Sequence, residues 1–433
     1  MMEKMLLNIG PSHPAMHGTI QIKVELDGER IIKADVEIGY LHRGFEKTAE
    51  NRTYMQIIPY TDRLNYVSPL LNNLAYAMAV EKLLGIDVPP RAKWLRMIFG
   101  EISRITDHLT CIAPIGMELG AFTVFLYMIK AREFLWNVLD ATTGARLTTS
   151  YIRIGGVKAD VPENFEDLLR KALEETKKAV RDVHGLLSRN PIFLKRTKDV
   201  GVVSQDDALS YGFTGPVLRS TGYYYDVRKA FPYLYYDEVD FEVPLGERGD
   251  NYDRYMVRMK EIEQSIRIIE QSLSKMEKGP VKAEDEVAEA YEAIKASQEG
   301  KYLDGKLKLN PNLEGMEREV YYKIMARVPR YILPPKEDLY RSIEGMIRHF
   351  KLIMSGHGLR PPAGEVYVPV EGGNGELGFY IVSDGTDRPY RLHLRAPVFS
   401  IMSALAEMIK GHYIADVIPT FASINMIGGE LDR

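Results

Sequence analysis

A chain of 433 residues can hold one large domain or two to three packed modules, and 45% apolar against 27% charged residues supports a substantial buried core rather than disorder. The formal net charge of -4 excludes the basic field that draws nucleic acid. The one cysteine, Cys111, excludes an internal disulfide, a cysteine zinc site and a four-cysteine iron–sulfur cluster.

The leading segment, MMEKMLLNIG, lacks a long apolar core ahead of a small-residue cleavage site. An apolar run predicts a strand over Met5–Ile9 and alternation predicts strands over Ile20–Leu26 and Ile31–Ile38, with Asp27-Gly28 as a hairpin turn. A long helical block is predicted from Ser68 to Thr143. Pro89-Pro90 ends one helix and opens the next, in which Leu95, Ile98, Ile102, Ile105, Leu109 and Ile112 form one apolar stripe. Cys111 falls in that stretch and reads as a buried, inert thiol. The following helix, Gly120 to Leu139, is apolar on most sides and is expected to be enclosed by other helices, the two together forming the centre of a bundle. Its most apolar part, Gly120 to Ile129, has about half the length of a membrane span. The expectation is a soluble, cytoplasmic chain that meets a membrane only through partners.

Two further helices are predicted over Asn164–Leu187 and Tyr252–Met276, with an irregular tyrosine-rich stretch between them from Tyr223 to Tyr236. Composition turns charged and poor in aliphatic residues after Glu284, as in a surface excursion. A helix over Asp338–Met354 and strands over Glu365–Val370, Gly378–Ser383 and Tyr390–Leu394 complete the chain. The expected fold class is α+β, a central helical bundle with small antiparallel sheets in the N-terminal and C-terminal regions. The expected division is 1–67 (sheet and site loop), 68–283 (helical core), 284–335 (inserted surface segment) and 336–433 (helix, sheet and closing segment).

Four constellations bear on chemistry. GPSHPAMHG (10–18) carries His13 and His17 at a helical metal spacing, but Pro14 between them and Gly18 after them make a turn. Ordinary loop histidines and a polar site with a titratable imidazole both stay open. Arg43 and Arg63 lie near apolar positions, where ion pairs with Glu46, Glu50 or Asp62 compete with a positive field beside an electron-rich cofactor. Glu118 lies between the two most apolar helices, either as a capped or salt-bridged carboxylate or as a proton-handling acid. Glu371-Gly-Gly-Asn-Gly-Glu376 lacks the spacing of a phosphate loop and reads as a hairpin turn, and no dinucleotide fingerprint occurs.

Runs such as NIGPSHPAMHG, GYLHRGFEKTAENRTY, IPYTDRLNYVS, GARLTTSYIRIGGV, YGFTGPVLRSTG and RPYRLHLRAP, in this order, resemble the 49-kDa (D-type) subunit family of NADH:quinone oxidoreductase, complex I. The resemblance covers about Leu6 to Arg433. That family is similar in fold to the large subunit of nickel–iron hydrogenases, whose two Cys-x-x-Cys pairs would fall here at Asn65 and Ser68, and at Ile427 and Glu430. An amide, a hydroxyl, an isoleucine and one carboxylate cannot replace four thiolates, so hydrogenase chemistry is excluded.

The resemblance implies a quinone-reduction cavity in which His17 and Tyr66 hydrogen-bond the two quinone carbonyls. Glu118 stands where the family has an aspartate beside the histidine. Arg43, Arg63 and Arg146 match arginines next to the terminal iron–sulfur cluster, which belongs to a neighbouring subunit. No metal is expected on this chain and no cofactor is bound to it covalently; quinone is the substrate. Thr148 replaces a family histidine tied to the pH dependence of that cluster, so that role is not carried over. Implied partners are the cluster-bearing small subunit, other peripheral-arm subunits and the quinone-site membrane subunit, on the cytoplasmic side of the inner membrane. An equivalent subunit fed by ferredoxin or another donor, and a non-catalytic scaffold for the cluster-bearing subunit, are the alternatives.

Overall fold

The computed structural model describes residues 4–13, 18–283, 302–303, 306–307, 339–340, 343–354, 356 and 358–433. Strands β1 (Met5–Ile9), β2 (Gln21–Asp27) and β3 (Arg30–Glu37) form an antiparallel sheet in that order, with Leu7 opposite Val24 and Ile22 opposite Val36. Strict alternation puts Ile20, Ile22, Val24 and Leu26 inward. They meet Phe213, Leu218, Val398, Leu405 and Phe421 in a core of their own.

Short helices α1 (Phe45–Glu50) and α2 (Tyr54–Thr61) lead into α3 (Pro69–Leu84), α4 (Pro90–Glu118) and α5 (Phe122–Thr143). A two-residue hairpin, β4 (Ile152–Arg153) with β5 (Gly156–Val157), precedes α6 (Phe165–Val183). Four short helices follow: α7 (Pro191–Thr197), α8 (Gln205–Ser210), α9 (Gly215–Arg219) and α10 (Val227–Ala230). The long α11 (Asn251–Lys275) starts on Asp250, whose side chain accepts from the Asp253 backbone and caps the helix.

Within 284–335 only β6 (Tyr302–Leu303) and β7 (Lys306–Leu307) are described, so the expectation of an inserted surface segment lies outside the described residues. After α12 (Ile343–Ile353) comes the second three-stranded antiparallel sheet, with β9 (Glu376–Ser383) between β8 (Gly364–Glu371) and β10 (Arg391–Arg395). Its inward residues Leu377, Phe379 and Ile381 pack on α3, where Phe379 meets Tyr76 edge-on at 5.6 Å. Helices α13 (Pro397–Ser403), α14 (Leu405–Ile409), α15 (Val417–Ile424) and α16 (Gly428–Leu431) close the chain. The α+β class and both terminal sheets agree with the sequence reading.

One expectation is overturned. Both α4 and α5 were expected at the centre of the bundle; α4 is there, buried nearly all round, but α5 leaves Phe122, Leu126 and Tyr127 exposed. Helix α4 lies among α3, α5, α11 and α15, while α5 packs chiefly on α4 and α6. An all-apolar surface is the usual sign of enclosure. It misleads here because the polar residues of α4 (Arg96, Glu101, Arg104, Asp107 and His108) find partners inside the core.

Candidate functional site

Between α2 and α3 the chain turns through Asp62–Ser68. The Asn65 side-chain carbonyl accepts from the Val67 and Ser68 backbone, both at 3.2 Å, a local turn that leaves neighbouring Tyr66 half-buried. Burial raises the phenol's pKa; Arg43 opposes this and Asp107 adds to it. Arg43 donates to the Arg63 carbonyl at 2.7 Å. The C-terminal segment joins the same place. A methyl group at Gly429 would lie 2.5 Å from the Arg63 carbonyl, 2.6 Å from that of Leu64 and 3.0 Å from the Arg43 guanidinium, so only glycine permits this approach. Asp432 accepts from the backbone of Gly39 at 2.9 Å and Leu41 at 2.8 Å, and His42 Nδ1 donates to the Asp432 carbonyl at 2.6 Å. A hollow of about 430 Å³ opens beside this clamp between His42, Glu46, Arg391, Phe399 and Asp432; Tyr66 does not line it.

Behind Tyr66 lies a buried polar cluster centred on Asp107 of α4. One Asp107 oxygen accepts from Asn65 at 3.1 Å and Ser68 at 2.9 Å, the other from Asn425 at 2.7 Å. Asn425 also donates to Asn374 at 2.8 Å, in the β8–β9 turn. A side chain at Gly373 would overlap the Asp107 carboxylate, so that turn approaches the acid backbone-first. Glu430 completes the cluster. It accepts from the Val398 backbone at 3.3 Å, and the nearby Asn65 and Asn374 amides favour its charged form. Burial, and then Asp107, push its pKa up to about 7 against the pull of those donors.

A second buried cluster lies farther along α4. Burial opposes the charge of Glu101, yet Arg104 and Arg228 hold its pKa down at about 2, with Ser265 donating at 2.6 Å and Tyr236 at 2.7 Å. Arg219 of α9 bonds Glu261 at 2.7 Å and Glu371 at 2.9 Å, and Glu261 also holds His108 at 2.8 Å. Burial keeps the His108 imidazole on the neutral side.

The predicted site residues are only partly brought together. Tyr66, Arg43 and Arg63 share one neighbourhood. Among the described residues neither arginine forms an ion pair: Arg43 and Arg63 donate to backbone carbonyls and expose their side chains. The carboxylates considered as their partners are engaged elsewhere. Glu46 holds Arg391 and His393, Glu50 holds Lys47 and Arg391, and Asp62 accepts from Ser150. Arg146 is half-exposed and pairs with Glu133 at 2.7 Å and Asn137 at 2.9 Å. Glu118 ends α4, where its charge is felt at the Cys111 thiol. The acid whose charge bears on the Tyr66 phenol is Asp107. His17 lies outside the described residues, although Gly18 beside it packs on Met426.

Cys111 is buried, its thiol pushed up to about 11. Among the described residues no three His, Cys, Asp or Glu side chains gather as a metal-ligand set, and no helix is long and apolar enough to cross a membrane. Sequence reasoning did not single out Asp107, Asn374 or Asn425. For Asp107 a signal existed, a carboxylate between Ile105 and Leu109 of the apolar stripe. For the two asparagines there was none.

A family model described as the 49 Kd subunit of the respiratory-chain NADH dehydrogenase matches residues 118–433. The first of the D-type NADH-quinone oxidoreductase subunits of Sorangium cellulosum is 49% identical over 432 residues, 100% of this chain and 96% of the relative. The D-type subunit of Pelobacter propionicus is 48% identical over 99% of this chain and 95% of its own length. A relative from Bdellovibrio bacteriovorus, in which the C-type and D-type subunits of NADH-quinone oxidoreductase are fused, is 45% identical over 99% of this chain and 68% of its own length.

Proposed function

The chain belongs to the 49 Kd subunit family of respiratory-chain NADH dehydrogenase, and from that premise we propose that it forms the quinone-reduction wall of complex I. It acts as one subunit of an oxidoreductase in the electron-transport chain, not as an enzyme by itself. Electrons from NADH arrive through groups that other subunits hold, since this chain has neither a dinucleotide fingerprint nor the thiolates a cluster needs.

The observation that carries the reading is the convergence of Tyr66, Arg43 and the C-terminal segment 425–432 on one place. A quinone becomes a quinol by taking two electrons and two protons. Donors at opposite ends of its ring orient it and stabilise the negative charge that develops on its oxygens. The Tyr66 phenol, kept protonated by burial, suits one end; His17, as imidazole, is assigned the other, with Glu118 as the acid behind it. The hydrogenase-like ancestry draws support from Asn65, Ser68 and Glu430. They stand where paired thiolates would be expected, and they share the Asp107 cluster.

Arg43, Arg63 and Arg146 are assigned to the face that meets the iron–sulfur cluster of the neighbouring small subunit. Cations there raise the cluster's reduction potential by stabilising the added electron. Arg43 and Arg63 contribute most, because Arg146 already shares its charge with Glu133. The other partners are the remaining peripheral-arm subunits, the quinone-site membrane subunit and, from the fused relative, a C-type subunit as a neighbour. The chain then lies peripherally, on the cytoplasmic side of the inner membrane.

In the assembled complex, Tyr66→Phe and His17→Ala are each expected to lower quinone-reductase turnover by about 10²-fold. NADH-driven reduction of the clusters and the amount of complex should stay normal. Turnover close to the unaltered rate in both variants overturns the assignment.

A further inference from the structure

We propose that Asp107 and Glu430 form a buried carboxylate pair that holds a single proton, and that this proton sets how readily Tyr66 gives up its phenolic hydrogen. The inference rests on the quinone reading of Tyr66 and adds two positioning residues to it.

Both acids are about 1% exposed or less, and among the described residues neither forms an ion pair. A buried carboxylate without a cation has two ways to stay folded: abundant hydrogen-bond donors or a bound proton. Asp107 takes the first. Its oxygens meet three side-chain donors from Asn65, Ser68 and Asn425, the pattern of an ionised acceptor. Glu430 takes the second. The Val398 backbone donor and the nearby Asn65 and Asn374 amides do not outweigh burial and the Asp107 charge. The Asn65 amide donates to Asp107, and Gly429 packs on the Leu64 carbonyl next to it, which sets Glu430 in the same neighbourhood and is the basis for assigning the two acids one proton.

The charged groups around the pair come from every side. Arg258 of α11 donates into the carbonyls of Gly373, Ser423 and Ile424. Arg43 lies against Gly429, next to Glu430, and Tyr66 follows Asn65. The charge of Asp107 already reaches the Tyr66 phenol. A second negative charge in the cluster strengthens that hold. When Glu430 is protonated, the phenol can give its hydrogen to a reduced quinone oxygen at less electrostatic penalty. When Glu430 loses its proton to solvent, the phenol holds its hydrogen more tightly and turnover falls.

The test uses the intact complex in membranes, with NADH-driven quinone reduction measured against pH. The unaltered complex should show a rate that declines through an inflection near pH 7. Glu430→Gln keeps the shape but cannot titrate, and that inflection should vanish. Asp107→Asn removes the repelling charge and should move the inflection down by about one pH unit. A purely structural role would lower the rate at every pH and leave the inflection in place, which overturns the proposal.

Infrared difference spectra provide a readout apart from turnover. A carboxylic-acid carbonyl band that titrates near pH 7 should be present in the unaltered complex and missing in Glu430→Gln. Persistence of the band in that variant also overturns the proposal. Should Glu430→Gln fail to assemble, Asp107→Asn decides, an unmoved inflection being fatal. If Tyr66→Phe turns over normally while the band behaves as expected, the quinone reading falls and the shared proton stands.

Discussion

Helix α4 carries two buried acids whose surroundings solve the same problem in opposite ways. Glu101 sits among guanidinium groups and is held ionised, with its pKa down at about 2. Asp107 sits among amides, and its partner Glu430 is pushed up to about 7. Burial penalises the charge of Glu101 and Glu430 alike. What differs is the neighbour: a fixed cation offsets the lost hydration, an amide offsets part of it, and a proton supplies the rest. The arginine-rich cluster is therefore suited to holding α4, α9, α11 and β8 in register. The amide-lined cluster is suited to changing its charge in the pH range where an enzyme works.

The comparison breaks most visibly if an arginine is removed. Arg219→Met leaves Glu261 and Glu371 without their cation, and a loss of about 3–5 kcal/mol is expected, read by denaturant unfolding or by failure of the complex to assemble. A loss below about 1 kcal/mol would mean that the cluster contributes little.

The pH dependence of stability sharpens the contrast, because the two acids have opposite signs. Glu430 has a folded pKa near 7, above the ordinary value of 4.5, so the native state binds the extra proton. Its contribution is fully present below about pH 4.5 and is lost as pH rises through 7, a change of about 3 kcal/mol. Glu101, with a folded pKa near 2, contributes above pH 4.5 and loses that contribution as pH falls through 2. Thermal melts should therefore show a decline between about pH 5 and pH 7.5 that Glu430→Gln abolishes and Glu101→Gln does not.

Gly429→Ala should force the C-terminal segment away from the Arg63 and Leu64 carbonyls, a loss of about 1–3 kcal/mol accompanied by reduced turnover. The smallest effect belongs to the surface. Arg170→Ala removes an exposed pair with Glu166 and should shift stability by no more than about 0.5 kcal/mol.

Much of the local structure was legible. An apolar run and alternation gave the strands of both terminal sheets to within a residue or two, and Pro89-Pro90 marked the start of α4. Tyr66, Arg43 and Arg63 were chosen from motif and resemblance, and the fold sets them in one neighbourhood. The central place of α4 was legible but the enclosure of α5 was misread, since an apolar surface says what a helix tolerates and not what surrounds it. Glu371-Gly-Gly-Asn-Gly-Glu376 was correctly a hairpin turn, yet nothing local revealed that its tip reaches Asp107.

Periodicity, turn residues and ligand chemistry are local properties. By themselves they determined the elements, the α+β class and the absence of a thiolate site. Which buried charges meet, and whether a cation or an amide meets them, depends on contacts such as Asp107 with Asn425 or Arg219 with Glu371. These join residues far apart in the chain, and the dielectric and hydrogen-bonding surroundings that set an acid's protonation come into being only when the chain has folded.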